Sequence, residues 1–373
     1  TNDNIKRYIR LGLNQNKGRA QTDIFIMDKN GNIDSNTPII WDFKDITKIS
    51  ALPIDKKSLV INGGYFITIA NKAPSKYTYY SRNISVKRSN VIISNLKHII
   101  QGEGDHGAPY RGFISISDCY NVLVKDCVLT GHKTYQTIGN AGKSVSMGSY
   151  DISVTRSISV SFVNCRQTND INDNKYWGIF ASNYSKNISF DSCIFSRFDA
   201  HMGVYNATIR NSKLGYMGIN AIGSGEFLIE NSTITGRSLI NLRRDYGSTW
   251  EGTFTISNCN FIPSKRKSTS ISLFSGSNSG LHDFGYICYM PKKIIIERLH
   301  IDDSNQHEDY KTIAIFSNFN PKMIDKNFHE NFPYIKTEKV VLKNISISTK
   351  KKLVVSENPF MFRNVKIEIE ENH

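Results

Sequence analysis

The sequence predicts an all-β chain wound as a parallel solenoid, and three observations predict it. Short segments alternate apolar and polar residues over four to eight positions, the signature of half-buried strands. One such pattern recurs along the chain, as "NVIISNLKHI", "NVLVKDCVLT", "SVSFVNCRQ", "NISFDSCIF", "NATIRNSKL", "FLIENSTI", "TFTISNCNF", "KIIIERLHI", "KVVLKNISI" and "PFMFRNVKI". Few helical patterns lie between the repeats. Aligned, the segments put Leu96, Cys127, Cys165, Cys193, Ser212, Ser232, Cys259, Leu299, Ile345 and Val365 in one column, spaced 19 to 46 residues apart with the shortest gaps near 20. A coil of that length cannot bury its apolar edge alone, so successive coils stack into a continuous core.

The elements follow in order. Residues 1–58 differ from the rest and read as an N-terminal cap, with one short helix over Asn4–Leu13 and strands within "NKGRAQTDIFIMDKNGNIDSNTPIIWDF". Such a cap shields the first open edge of a solenoid. Residues 59–373 carry the repeats. The column residues form an internal stack, in which cysteine is a small buried hydrophobe. Asn and Asp beside the column suit turns between sheets. The sequons at Asn187, Asn206 and Asn231 fall inside the repeat and read as strand and turn chemistry. This repeat resembles the right-handed parallel β-helix of the pectate-lyase-like superfamily, over roughly Leu59 to Glu371. The resemblance implies about ten or more coils. That fold hosts lyases, hydrolases, epimerases, phage tailspikes and adhesins, so it fixes architecture better than activity.

Composition bounds the partners. The 373 residues hold 47 Lys and Arg against 33 Asp and Glu, a net charge of +14, which favours a polyanion. The cations are scattered apart from "SKRK" at Ser264–Lys267, and no basic–aromatic module is present, so acidic polysaccharide is expected over nucleic acid. No apolar run is long enough to span a membrane. The start lacks an apolar targeting segment, and Thr1 is not a natural start, so a removed leader and a secreted, cell-surface or virion location are expected. The six cysteines lack metal-site spacing and are expected to be free core thiols. No cofactor is expected. "NDINDN" at 169–174 is the one acidic, Asn-rich loop suited to weak calcium binding.

Function in a solenoid sits where coils carry insertions, because insertions project on one face. Segments 102–112, 131–151, 168–178, 196–203, 215–225, 236–252 and 263–291 are rich in Gly, Tyr, His, Arg and Asp. Those from 131 to 252 are expected to converge on one groove. "GHKTY" offers His132, Lys133 and Tyr135, three side chains able to move protons when tuned. Trp177 and Tyr216 each lie 16 residues before a column position, which suits a sugar-stacking surface or a core ladder. Asp199 and His201 in "RFDAH" share one strand face, so the carboxylate can orient the imidazole. Asn220 and Asn241 can bond sugar hydroxyls or form an internal ladder. "NLRRDYGSTWEG" collects Arg243, Arg244, Asp245, Tyr246, Trp250 and Glu251. An arginine there can fork onto a carboxylate, with Asp245 holding it in place.

A polysaccharide lyase meets these residues best. β-Elimination from a uronic acid needs a cation on the carboxylate, a base for the C5 proton and an acid for the leaving oxygen. Arg243 or Arg244, His201 or His132, and Tyr246 or Tyr135 are expected in those roles. Lys133, Trp177, Asp199, Tyr216, Asn220, Asn241, Arg244, Asp245 and Trp250 are expected to bind substrate, with glycosaminoglycan, capsule and pectin-like polymers all open. The alternatives are a glycoside hydrolase, needing two facing carboxylates drawn from Asp105, Asp151, Asp199, Asp245 and Glu251, and a non-catalytic glycan binder such as a tailspike or adhesin.

Overall fold

The computed structural model describes residues 1–70, 83–104, 112–278, 284–307, 309–356 and 358–370. Residues 105–111, with Asp105 and most of segment 102–112, lie outside the described residues, as do residues 279–283 of segment 263–291. Ile61, Ile93, Val124, Phe162, Phe190, Ile209, Ile229, Ile256, Ile296, Leu342 and Ile369 pair in parallel register, each with the next. Parallel strands need a crossover between them, and here each crossover is the rest of one coil. The chain is therefore a parallel β-helix. Its interior is lined by alternate residues of each strand. Phe180, Phe190, Phe198, Phe227, Phe254 and Phe274 make a continuous chain of ring contacts, with centroids 5.0 to 5.3 Å apart.

The column forms a sharp bend at each coil. The residue before it is left-handed at Asn95, Asp126, Asn164, Ser192, Asn211, Asn231, Asn258, Arg298 and Asn344, with φ between 50° and 58°. Asn and Asp enter that region most readily among residues with a Cβ. They also bond between coils: Asn164 Nδ2 donates to Asp126 Oδ1 at 2.7 Å. The sequon residues behave alike, Asn206 donating to Asn187 at 3.1 Å and Asn231 to Asn211 at 3.4 Å. Cys127, Cys165, Cys193 and Cys259 are buried and free, as are Cys119 and Cys288. Serines extend the stack, since Cys193 N donates to Ser212 Oγ and Ser212 N to Ser232 Oγ, both at 3.0 Å. One column assignment is corrected. The strand Lys366–Glu370 pairs Ile369 with Leu342, so Val365 sits four residues ahead of that position while Ile345 follows its own by three. "RNVKI" imitates "KNISI" locally, but a short helix, Pro359–Phe362, precedes it and sets a different register.

The N-terminal segment also differs from expectation. No helix covers Asn4–Leu13. Asn2–Arg7 is a strand antiparallel to Arg19–Gln21. Tyr8, with φ +54°, cannot continue a helix. Its ring is buried against Tyr184, Trp41 and Tyr286. Its hydroxyl lies where a Cβ on Gly203 would stand, so only glycine fits there. Residues 1–58 run along the flank of the solenoid. Lys186 pairs with Asp23 at 2.7 Å, both buried. Asn187 donates to the Asn36 carbonyl at 3.0 Å, and Ala141 N to the Leu13 carbonyl at 3.0 Å. In the first coil strand, Leu59–Ile69, Val60, Tyr65 and Ile69 remain exposed. Among the described residues no helix is long and apolar enough to cross a membrane.

Candidate functional site

One outer sheet face carries the polar row that the fold exposes. Phe198, Ile219, Ile240 and Phe274 point into the core. Their neighbours Asp199, Asn220, Asn241 and Ser275 therefore point outward, and they pair in register across four coils. Asn241 Nδ2 donates to Asn220 Oδ1 at 2.6 Å, and Ser275 Oγ to Asn241 Oδ1 at 3.5 Å. Asn220 is buried beneath this ladder, while Asn241 is exposed. Insertions flank the row at both strand ends. Tyr216, at an irregularity in the strand Lys213–Ala221, and Arg237, in the turn before Ser238–Leu242, precede it, and Arg237 Nη2 donates to Tyr216 Oη at 3.1 Å. Burial, then the charge of Arg237, lowers the pKa of Arg266 in the next insertion, so the two cations adjoin. Arg244 follows the row on the opposite side, exposed in the short 3-10 turn Arg244–Tyr246. Neither Arg237 nor Arg244 joins an ion pair with any described residue.

Asp199 closes one end of the row. It is fully buried and takes Arg197 Nη2 at 2.7 Å, Arg243 Nη1 at 3.2 Å and the Tyr150 hydroxyl at 2.5 Å. Arg243 forks onto Asp245 at 2.7 and 3.1 Å, and Arg10 reaches Asp245 at 2.8 Å. Burial opposes ionisation of Asp199, but Arg197 and Arg243 outweigh it and hold the carboxyl at about 2. Asp245 is likewise lowered, its burial outweighed by Arg243. His201 Nδ1 donates to Asn183 Oδ1 at 3.0 Å. Burial first, then the Arg243 charge, pushes its pKa down to about 3, so the ring is neutral at pH 7. Guanidinium groups also stack here, Arg197 over Trp177 at 4.9 Å and Arg243 over Tyr246 at 5.0 Å.

The expected residues therefore divide. Asp199, His201, Arg243, Asp245 and Tyr246 do meet, together with Trp177. Tyr216, Asn241 and Arg244 lie along the row, with Asn220 buried within it. Several expected roles are corrected. Arg243 is saturated by Asp199 and Asp245, so its fork has no edge left for a substrate carboxylate. Tyr246 is buried beneath Arg243 and Arg10 and cannot meet a leaving oxygen. Trp250 is 0% exposed, packed on Phe227 and Phe254, so it has no face for a sugar. Tyr135 is buried. His132 is buried in a separate knot, where its Nε2 and His98 Nδ1 each lie 2.9 Å from Asp151. Burial opposes that carboxyl's ionisation, but the bonds from His132 and His98 hold it at about 2. Lys133 is half-buried on the short strand beside Tyr176–Gly178. In loop 169–174, Asp170 and Asp173 accept the backbone N–H of Asn172 and Lys175. Among the described residues no three His, Cys, Asp or Glu side chains gather to hold a metal.

Sequence reasoning missed Tyr150, Arg197 and Arg10 as members of the charged cluster. Arg197 stood in plain view, two residues before Asp199. Nothing local signals Arg10, which is 235 residues from Asp245.

No family model matches the chain, and no curated protein matches it. Solved structures do. The tailspike gp61 of Pseudomonas phage phi297 is 14% identical with a TM-score of 0.45, covering 73% of this chain, and the chain spans only 42% of that tailspike. The endo-xylogalacturonan hydrolase from Aspergillus tubingensis is 11% identical with a TM-score of 0.45, over 82% of this chain and 86% of the enzyme. The Streptococcus pneumoniae surface protein and adhesin PfbA is 8% identical with a TM-score of 0.35, over 84% and 90%.

Proposed function

We propose that the chain recognises an acidic polysaccharide along the row Asn220–Asn241–Ser275, at a cell surface, on a virion or after secretion. One observation carries this reading: Arg237 and Arg244 flank the exposed Asn241 and join no ion pair with any described residue, whereas Asp199 and Asp245 are both engaged by arginines. A guanidinium outside any ion pair presents a planar fork that matches a uronate carboxylate. The amide ladder supplies donors and acceptors for hydroxyls, and Tyr216 an aromatic edge. The net charge of +14 draws a polyanion to this surface. Asp199 and Asp245 adjoin across Arg243, but both are held ionised, so neither can serve as the protonated acid that glycoside hydrolysis requires. Affinity electrophoresis against acidic and neutral polysaccharides tests the proposal. Retardation by the acidic polymers should weaken with salt and fall at least about tenfold in Arg237→Ala/Arg244→Ala, the loss expected for one or two charge-assisted contacts. Equal binding of neutral polymers, or an unchanged double variant, would overturn it.

A second reading, β-elimination, would use His201, a neutral imidazole beside the charged cluster whose depressed pKa leaves it a weak base. Arg244 would neutralise the uronate, His201 would accept the C5 proton as the C4–O bond breaks, and water would protonate the leaving oxygen because Tyr246 and Tyr135 are buried. This reading expects ultraviolet-absorbing product from an acidic polymer. It also expects turnover roughly 10²–10⁴-fold lower in His201→Ala. New reducing ends without absorbance would instead mean hydrolysis.

A further inference from the structure

The insertions after the strands Thr312–Phe316 and Leu353–Ser356 enclose a cavity of about 170 Å³ near the last coils. Its lining includes Phe328, Glu330, Lys336, Thr337, Phe360 and Arg363. None of these belongs to the row described above. A cavity of roughly 150 Å³ admits a benzene-sized ring, so this one has room for a single six-membered ring. Thr337 is 3% exposed, yet its hydroxyl has no hydrogen-bond partner among the described residues. An unpaired buried hydroxyl is unfavourable, and a ligand that bonds it removes that penalty. Glu330 is fixed by Asn278 Nδ2 at 3.0 Å and by Lys336 Nζ at 3.3 Å. Phe360 and Phe328 offer apolar surface to the C–H face of a ring. At the mouth, Lys326 and Arg363 are exposed and join no ion pair with any described residue. The lining thus holds three cations, Lys326, Lys336 and Arg363, against two carboxylates, Asp325 and Glu330.

The cavity is also aligned with the row. Arg244 follows the strand Ser238–Leu242, and the insertion carrying Phe328 to Thr337 follows Thr312–Phe316, two coils further on. At about 4.8 Å per coil that is roughly 10 Å along the axis. Tyr334 ties the two insertions together by donating to the Gly247 carbonyl.

We propose that this cavity binds one carboxylated pyranose, with Thr337 and Glu330 bonding hydroxyls and Arg363 holding the carboxylate. The choice of a sugar rests on the acidic-polysaccharide reading of the row; the cavity's shape and charge do not. D-Glucuronate and D-galacturonate, with glucose as the uncharged control, can be titrated against the full chain by saturation-transfer NMR. At least one uronate should bind, and more tightly than glucose. Arg363→Ala should weaken it about tenfold or more and Thr337→Val several-fold, while Lys29→Ala, on the exposed surface of the N-terminal segment, leaves it unchanged. Failure of both uronates to bind overturns the proposal. So does a loss caused by Arg244→Ala but not by Arg363→Ala. The two readings separate cleanly. Polymer binding that depends on Arg244, without any uronate binding, sinks the cavity alone. Uronate binding that depends on Arg363, in a protein that binds no acidic polymer, supports the cavity and sinks the row.

Discussion

Asp199 shows how one residue type changes meaning with its surroundings. Beside His201 in sequence it suggests an orienter for a base. In the fold it is the centre of a buried network in which Arg197, Arg243 and Tyr150 all point at its two oxygens. The same burial lowers the pKa of His201 from its ordinary 6.5 to about 3. The unfolded chain therefore takes up a proton at His201 between about pH 6.5 and 3, while the folded protein does not. A group whose folded pKa is depressed contributes stability above its unfolded pKa, and that stability drains away as pH falls. Asp199 and Asp151, held at about 2 against an ordinary 3.8, add a second loss between about pH 4 and 2. Thermal midpoints should thus decline in two stages on acidification. His201→Gln should flatten the upper stage and leave the lower one. A variant that follows the parent curve through pH 6.5 to 4 would show that His201 is not buried neutral.

At the scale of the element, the bend that carries the column explains the cysteines. A left-handed residue throws the next side chain into the narrow interior corner, where a thiol fits and can bond a carbonyl of the preceding coil. Cys193 Sγ lies 3.4 Å from the Phe162 carbonyl and Cys165 Sγ 3.5 Å from the Val124 carbonyl. Burial pushes Cys259 up to about 11 and Cys288 up to about 12, so neither forms a thiolate near neutral pH, and the thiolate is the reactive form. Iodoacetamide at pH 8 should modify none of the six thiols in the native protein, and mass spectrometry should count six adducts after denaturation. Rapid native labelling of Cys193 or Cys165 would contradict the stacked interior. The same bend made the column legible, because Asn or Asp before a small residue is a local signal. Val365 was misplaced because "RNV" carries that signal without the left-handed turn.

For the molecule as a whole, the N-terminal segment is a strap along the solenoid. Its firmest attachment is Asp23 with Lys186, both buried, with Lys186 also donating to the Pro38 carbonyl. Removing one partner of a buried pair leaves an uncompensated charge, at a cost of about 3–5 kcal/mol. Asp23→Asn should therefore loosen residues 1–58 ahead of the coils, because the coil register does not depend on that pair. Limited proteolysis should cut the variant within residues 1–58 at protease levels that leave the parent intact. Its far-ultraviolet circular dichroism should keep the strand signal. Loss of the strand signal together with the strap would mean that the segment is integral to the coils.

The sequence by itself determined the parallel stack. Apolar alternation names the strands, and Asn before a small residue names the bends. Both are local properties of the backbone, so a few adjacent residues reveal them. It also singled out Tyr216, Asn220, Asn241 and Arg244 as candidates, since each lies in a segment that departs from the repeat. Only the tertiary structure decided which polar groups stay open to solvent. Trp250 and Arg244 are six residues apart, yet one is sealed in the core and the other exposed. His132 and Tyr246 looked equally free until Asp151 and Arg10 covered them. Alternation fixes which face a side chain points to, but what lies over that face comes from segments far away in the chain. Asp199 is covered by Tyr150 from 49 residues before it and Arg243 from 44 after it, and no short stretch of sequence records that meeting.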